Sequence, residues 1–204
     1  MGLNMNHKDY TAAVLKKTSP LFNTESVSAP EMLGLMRDIL AANGRAEAVR
    51  KYVYYGRTIS PGNKAWLHSH RDTNDVLDYG KIDPDLLHGA MGLLDEAGEM
   101  LLQIRRVATG EIGPDAVNWL EEIGDAFFFL TLLMHKSGLT LPQVMAANLA
   151  KLAVRHGEVF SADGANHRDP EAERAALQAH VDELVDGPFG LSGILPASPI
   201  SREE

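Results

Sequence analysis

Two short acidic motifs, Glu96-Ala-Gly-Glu99 and Glu122-Ile-Gly-Asp125, stand in otherwise apolar helical sequence. In each, the carboxylates are three residues apart, so on a helix they lie one above the other on the same face. Each motif carries a glycine, Gly98 or Gly124, just before its second acid. Glycine inside a helix costs roughly 1 kcal/mol relative to alanine. Two glycines in matching places predict two helices that cross closely there and bring the four carboxylates together. Converging carboxylates repel and resist burial unless something neutralises them. An oxygen-preferring divalent cation does so, and the motifs therefore point to a magnesium site.

The plain alternative for Glu96 and Glu99 is a solvated helix face, but Leu93, Leu94, Ala97, Met100 and Leu101 surround them. Acids also favour the first turns of a helix. That accounts for Glu121 and Glu122 and not for Asp125, which directly precedes the most apolar run of the chain. Asn148, Lys151 and Arg155 fall at i, i+3 and i+7, a polar and basic stripe. Such a stripe is either an exposed face with snorkelling stems or a clamp for phosphate. His88, eight residues before Glu96, is either a packed, hydrogen-bonded side chain or a substrate contact. Trp66, Trp119 and the Tyr52–Tyr55 cluster are aromatic groups for the core or for stacking on a base.

Helices must carry these residues. Asp9–Lys17 reads as a short helix. Pro30 at a first turn, followed by Glu31–Ala42 with apolar residues at helical spacing, predicts a second helix that Asn43-Gly44 stops. Arg45–Tyr55 then reads as a third, ended by Gly56. Residues 58–83 are expected to be a long irregular excursion, a lid or an oligomer contact. Asp83 as cap and Pro84 at the first position open the helix of the first acidic motif, which should run to about Val107 and break at Thr109-Gly110. Asp115 and Ala116 begin the helix of the second motif, running to about Lys136. Its run Ala126–Met134 is apolar all round and predicts cover on every side, by a bundle core or a subunit interface. Further helices are expected at 143–156, after a Thr140 cap, and at 170–186, with loop between them. No strand pattern of any length appears, and the predicted fold class is all-α.

The chain of 204 residues is long enough for one well-formed core. Hydrophobic residues make up 45% and charged residues 23%, ordinary for a soluble globular protein. A net charge of −9 argues against a nucleic-acid binder, though a bound metal inverts the local field for an anionic substrate. With no cysteine, disulfides, thiolate catalysis and Cys-ligated metals are excluded. The absence suits a cytoplasmic location, and Met1–Tyr10 lacks the apolar core of a signal peptide. Spanning a bilayer takes about 20 apolar residues, so the Ala126–Met134 run is no membrane anchor.

The pattern Glu-x-x-Glu, a gap of 22 residues, then Glu-x-x-Asp resembles the MazG-like nucleoside triphosphate pyrophosphohydrolases, of the all-α NTP pyrophosphatase superfamily. His88-Gly-Ala-Met-Gly-Leu-Leu-Asp-Glu-Ala-Gly-Glu99 is similar to the first metal helix of that family. Glu121-Glu-Ile-Gly-Asp125 followed by aromatics is similar to its second, and Asn148-Leu-Ala-Lys151-Leu with Arg155 to the asparagine–lysine helix after it. Phe160 and Arg168-Asp169 resemble the closing loop of phage-type members, and Tyr10 with Lys17-Thr18 their opening. The resemblance covers roughly residues 84–173 and a short piece at the start. Residues 20–82, an unassigned insertion, and the tail fall outside it.

The glycines and prolines of 187–204 predict a flexible tail. The resemblance implies one helical domain over 1–186 and a bundle completed by oligomerisation as a homodimer or homotetramer. It implies hydrolysis of a (deoxy)nucleoside triphosphate to the monophosphate and pyrophosphate, with dGTP or GTP as a favoured substrate of phage-type members. Glu96, Glu99, Glu122 and Asp125 would hold two or more Mg²⁺, replaceable by Mn²⁺, with Glu96 or Glu99 taking the proton of the attacking water. Asn148, Lys151, Arg155, Arg168 and His88 would contact substrate. Two other readings compete. A di-iron carboxylate bundle adds Glu-x-x-His motifs, and no histidine here has glutamate three positions before it. A non-catalytic helical interaction module would use the acids for structure alone.

Overall fold

The computed structural model describes residues 6–20, 26–69 and 79–185. Among the described residues the chain is all-helical, with no strand. The expected tail at 187–204 lies outside them, as do residues 21–25 and 70–78. The chain groups into two compact units, one of residues 1–22 with 137–204 and one of residues 23–136.

The unit 23–136 is built on α2 (Ala29–Tyr55), α3 (Pro61–His68), α4 (Pro84–Ala108) and α5 (Ala116–Lys136). Helix α4 is the middle one, packed against α2 and against α5. Its start follows from sequence: the Asp83 carboxylate accepts from the backbone N–H groups of Asp85 and Leu86, with Pro84 at the first position. Its end is marked by Gly110, whose φ of 74° suits glycine. Asp115 starts α5 in the same way, accepting from Val117 and Asn118 N–H groups.

Two expectations about this unit fail. The first is the stop at Asn43-Gly44: α2 runs unbroken through it, from a Ser28–Glu31 capping box to Gly56 at φ 63°. Asn43 is 7% exposed, and its amide donates to the Asp95 backbone carbonyl of α4 at 3.4 Å. Tertiary contact at this point outweighs a local helix-breaking signal of about 1 kcal/mol. The second is the crossing at Gly98 and Gly124. A Cβ on Gly98 would lie 1.9 Å from Asn43 Nδ2, so this glycine admits α2 and not α5. Gly124 has nothing within 4 Å. The close approach of α4 to α5 is made instead at Gly92, where a Cβ would sit 2.2 Å from the Phe129 ring, and at Gly89, 2.8 Å from Leu133 Cγ.

The excursion at 58–83 is partly regular. Ser60 caps α3 by accepting from the Asn63 N–H group, and a 3₁₀ turn covers Tyr79–Lys81. The apolar run of α5 is covered on one side only: Ala126 and Phe129 are buried, whereas Phe127, Phe128 and Leu130 are exposed. Among the described residues no helix is long and apolar enough to cross a membrane.

The other unit holds α1 (His7–Lys16), α6 (Leu141–His156), α7 (Ala162–Asn166) and α8 (Pro170–Val185). Helix α6 packs on α8 and α1, with Met145 buried. The loop expected between α6 and α8 contains the one-turn α7, capped by Ser161.

Gly124 and Gly92 should respond oppositely to alanine. Gly124→Ala meets no neighbour and should raise the unfolding free energy by about 0.5–1 kcal/mol. Gly92→Ala must displace the Phe129 ring and should lower it by about 1–3 kcal/mol. Urea midpoints of the two variants check this.

Candidate metal centre

On α4 the sequence Asp95-Glu96-x-x-Glu99 places three acids on the side facing α2 and α5. Asp95 is 2% exposed and Glu96 is 6% exposed. Glu122, 4% exposed, comes from α5, and Asn118 one turn earlier donates to its Oε1. Carboxylate oxygens of Glu96, Glu99 and Glu122 all lie within 4.8 Å of one another. Asp125 is exposed and lines the same cleft as Asp95, Glu96 and Glu99. The acids expected to converge therefore share one site, by another crossing than the glycines suggested.

Helix α2, from the stretch the resemblance left unassigned, adds what sequence reasoning missed. Glu47 forms a second acidic triad with Asp95 and Glu99, oxygens again within 4.8 Å of one another. Arg50, 4% exposed, forms an ion pair with Asp95 and donates to the Tyr55 hydroxyl at 3.2 Å, and Lys51 pairs with Glu47. The signal that was available is the Glu47-x-x-Arg50-Lys51 spacing, which puts these side chains on one face of a helix.

The two triads differ in compensation. Glu47 and Asp95 each have a cation. Among the described residues no ion pair reaches Glu96, Glu99 or Glu122. Burial first, then the charges of Glu99, Asp95 and Asp125, pushes the Glu96 carboxyl up to about 7. Burial and the adjacent Glu122 carboxyl push Glu99 to about 7 as well. Burial also raises Asp95, against the pull of Arg50. Asp95 Oδ1 is enclosed without a hydrogen-bond partner.

The donor set fits a divalent cation. Magnesium holds oxygens at about 2.1 Å, so ligands on opposite sides of one ion stand about 4.2 Å apart. Oxygens gathered within 4.8 Å are spaced to share an ion. Both triads consist of carboxylates alone, the hard-ligand chemistry that suits Mg²⁺ or Mn²⁺. His88 joins neither. It stacks on Tyr54 with ring centroids 4.3 Å apart, and its Nε2 lies 3.0 Å from the Tyr55 hydroxyl. Burial and the charge of Arg50 lower its pKa.

The expected phosphate contacts belong to the other unit. Asn148 Oδ1 accepts from the Tyr10 hydroxyl at 3.3 Å. Lys151 makes no ion pair among the described residues. The forks of Arg155 and Arg168 both close on Glu173, which is 3% exposed: Arg155 Nε and Nη2 at 2.8 and 2.7 Å, Arg168 Nε and Nη2 at 3.1 and 2.6 Å. These bonds hold the Glu173 carboxyl well below the usual range. Of the expected stacking aromatics, Trp66 has the Arg45 guanidinium 5.3 Å over its ring, and Tyr55 lines the acidic cleft.

The raised carboxyls predict a pH dependence of the metal-free protein. Their folded pKa values exceed the unfolded value, so the folded state binds the extra protons. The stability they contribute is complete below 4.5 and is lost as pH rises through about 7. In EDTA the melting temperature should fall between pH 5.5 and pH 8. Added Mg²⁺ should restore it at pH 8 and change it little at pH 5.5. Glu96→Gln, which cannot ionise, should flatten the fall.

Comparison with protein-family models, curated proteins and solved structures finds no match to this chain.

Proposed function

We propose that the chain is a metal-dependent hydrolase that converts a (deoxy)nucleoside triphosphate to its monophosphate and pyrophosphate, in the manner of the MazG-like enzymes its motifs resemble. The observation that carries this is the uncompensated triad Glu96–Glu99–Glu122, with Glu96 and Glu122 buried and Asp125 in the cleft beside Glu96 and Glu99. Clustered carboxylates, two of them buried and without a cation, are costly to a folded chain unless a divalent ion is their partner.

In this reading Glu96, Glu99, Glu122 and Asp125 hold Mg²⁺. When bound there, the ion would supply charge neutralisation on the phosphate oxygens and acidify a water molecule. Glu96 or Glu99 would accept the proton of the attacking water as its oxygen bonds to phosphorus. The phosphoanhydride bond breaks and pyrophosphate departs. Lys51, beside the carboxylates and paired with Glu47 one turn away, is a cation of this unit able to turn to the phosphates. Arg50 is fixed by Asp95 and Tyr55 and orients the acids of α4. The resemblance adds Asn148 and Lys151 as phosphate contacts. Arg155 and Arg168 are assigned to joining α6 and α8 through Glu173.

The same reading makes the protein a homodimer or homotetramer of the all-α NTP pyrophosphatase type. The exposed apolar side chains at the start of α5, Val117 and Leu120 at 76% each, are what a second copy would cover.

Pyrophosphate release from a panel of ribo- and deoxyribonucleoside triphosphates, dGTP first, tests the proposal. Release should require Mg²⁺ or Mn²⁺, and Glu122→Gln should lower turnover by about a hundredfold or more. No release from any nucleotide, with Glu122→Gln altering neither metal binding nor stability, would overturn the enzyme reading.

A further inference from the structure

We infer that the cleft over α4, between α2 and α5, seats a nucleobase against the ring of Phe128. This rests on reading the carboxylate cluster as a nucleoside triphosphate site, and it assigns that site a base-contacting residue.

The cleft has a volume of about 430 Å³, within the range of small-molecule sites. Its three helices bring three kinds of group. Helix α4 contributes Glu96 and Glu99, α2 contributes Lys51, and α5 contributes Asp125 and Phe128. Acids for a cation, a lysine for phosphate and an aromatic ring thus share one concavity. Asp125 and Phe128 are three residues apart on α5, on one face and about 5 Å along its axis. A nucleotide whose phosphates lie over the acids has its base within that reach.

Phe128 is 60% exposed, whereas the adjacent Phe129 is 5% exposed and packs into the α4–α5 contact. An edge contact to Phe129, with centroids 5.2 Å apart and planes at 80°, steadies the Phe128 ring. The side chain stays largely exposed and lines the cleft. Phe127 is also exposed, at 49%, but does not line this cleft, so exposure alone does not select Phe128. Tyr55, the other aromatic in reach, is engaged through its hydroxyl by Arg50 and His88. Stacking on a phenyl ring needs only the π-face that every base has. Phe128 therefore supplies affinity for the nucleoside and little choice among bases.

The test is calorimetric titration of the full-length protein in Mg²⁺ with two probes, a non-hydrolysable α,β-methylene nucleoside triphosphate and inorganic tripolyphosphate, which has no base. Phe128→Leu keeps an apolar side chain of similar volume and removes the aromatic face. It should weaken the nucleotide analogue about tenfold, leave tripolyphosphate unchanged, and leave the sedimentation coefficient unchanged; Phe128→Tyr should bind as the parent does. Equal weakening of both probes, no weakening of either, or a changed assembly state with both probes lost would overturn the assignment of Phe128. The nucleotide reading would stand in those cases, because the parent binds. A parent protein that binds neither probe would overturn both.

Discussion

Adjacent acids on one helix point about 100° apart, so burying both requires neighbours on two sides. Asp95 and Glu96 are such a pair, and both are buried: Asp95 meets Arg50 of α2, and Glu96 lies with Glu122 of α5. The arrangement of the unit 23–136 follows from this. Helix α4 has to be the middle element, and both partners have to come close enough for short side chains to meet. Gly98 opens it to α2, and Gly89 and Gly92 open it to α5. The Phe129 ring fills the space over Gly92 and receives the Arg50 guanidinium at 5.3 Å, joining the two contacts.

The cost of that burial explains the division of labour among the acids. Asp95 is neutralised inside the protein, and Arg50, Tyr55 and His88 extend its ion pair into a hydrogen-bonded row. Such a row stiffens α2 against α4. Glu96, Glu99 and Glu122 are left without a cation, and two of them respond by holding protons to about pH 7. A structural network compensates its charges, as the Glu173 carboxylate with two arginines does in the other unit. A cluster left uncompensated is poised for a ligand of opposite charge.

Much of the chain was legible locally. Caps and stops located α1, α4, α5, α6 and α8 to within a residue or two, because Asp83 and Asp115 accept from N–H groups in the first turns they cap and the Thr140 N–H donates to the Gln143 side chain three residues on. The convergence of Glu96, Glu99 and Glu122 was legible too, since buried like charges in apolar helical sequence have few tolerable arrangements. Sequence reasoning failed where a distant residue decided the outcome. Asn43-Gly44 reads as a stop only when Asp95 and Gly98, more than fifty residues away, are out of view. Lys151, Arg155 and Arg168 read alike as basic residues, and the partner that separates them, Glu173, sits on another helix.

By itself, then, the sequence determined an all-helical chain and an acid cluster carried on two of its helices, because helix periodicity and capping act over a few residues. Tertiary structure alone decided that α2 is one helix, that its Glu47, Arg50 and Lys51 stand beside the acids, and that the close α4–α5 approach lies at Gly92 under Phe129. It also sorted the acids into compensated and uncompensated. The reason is that charge pairing and close packing are settled between residues far apart in the chain, once burial removes the water that would otherwise screen them.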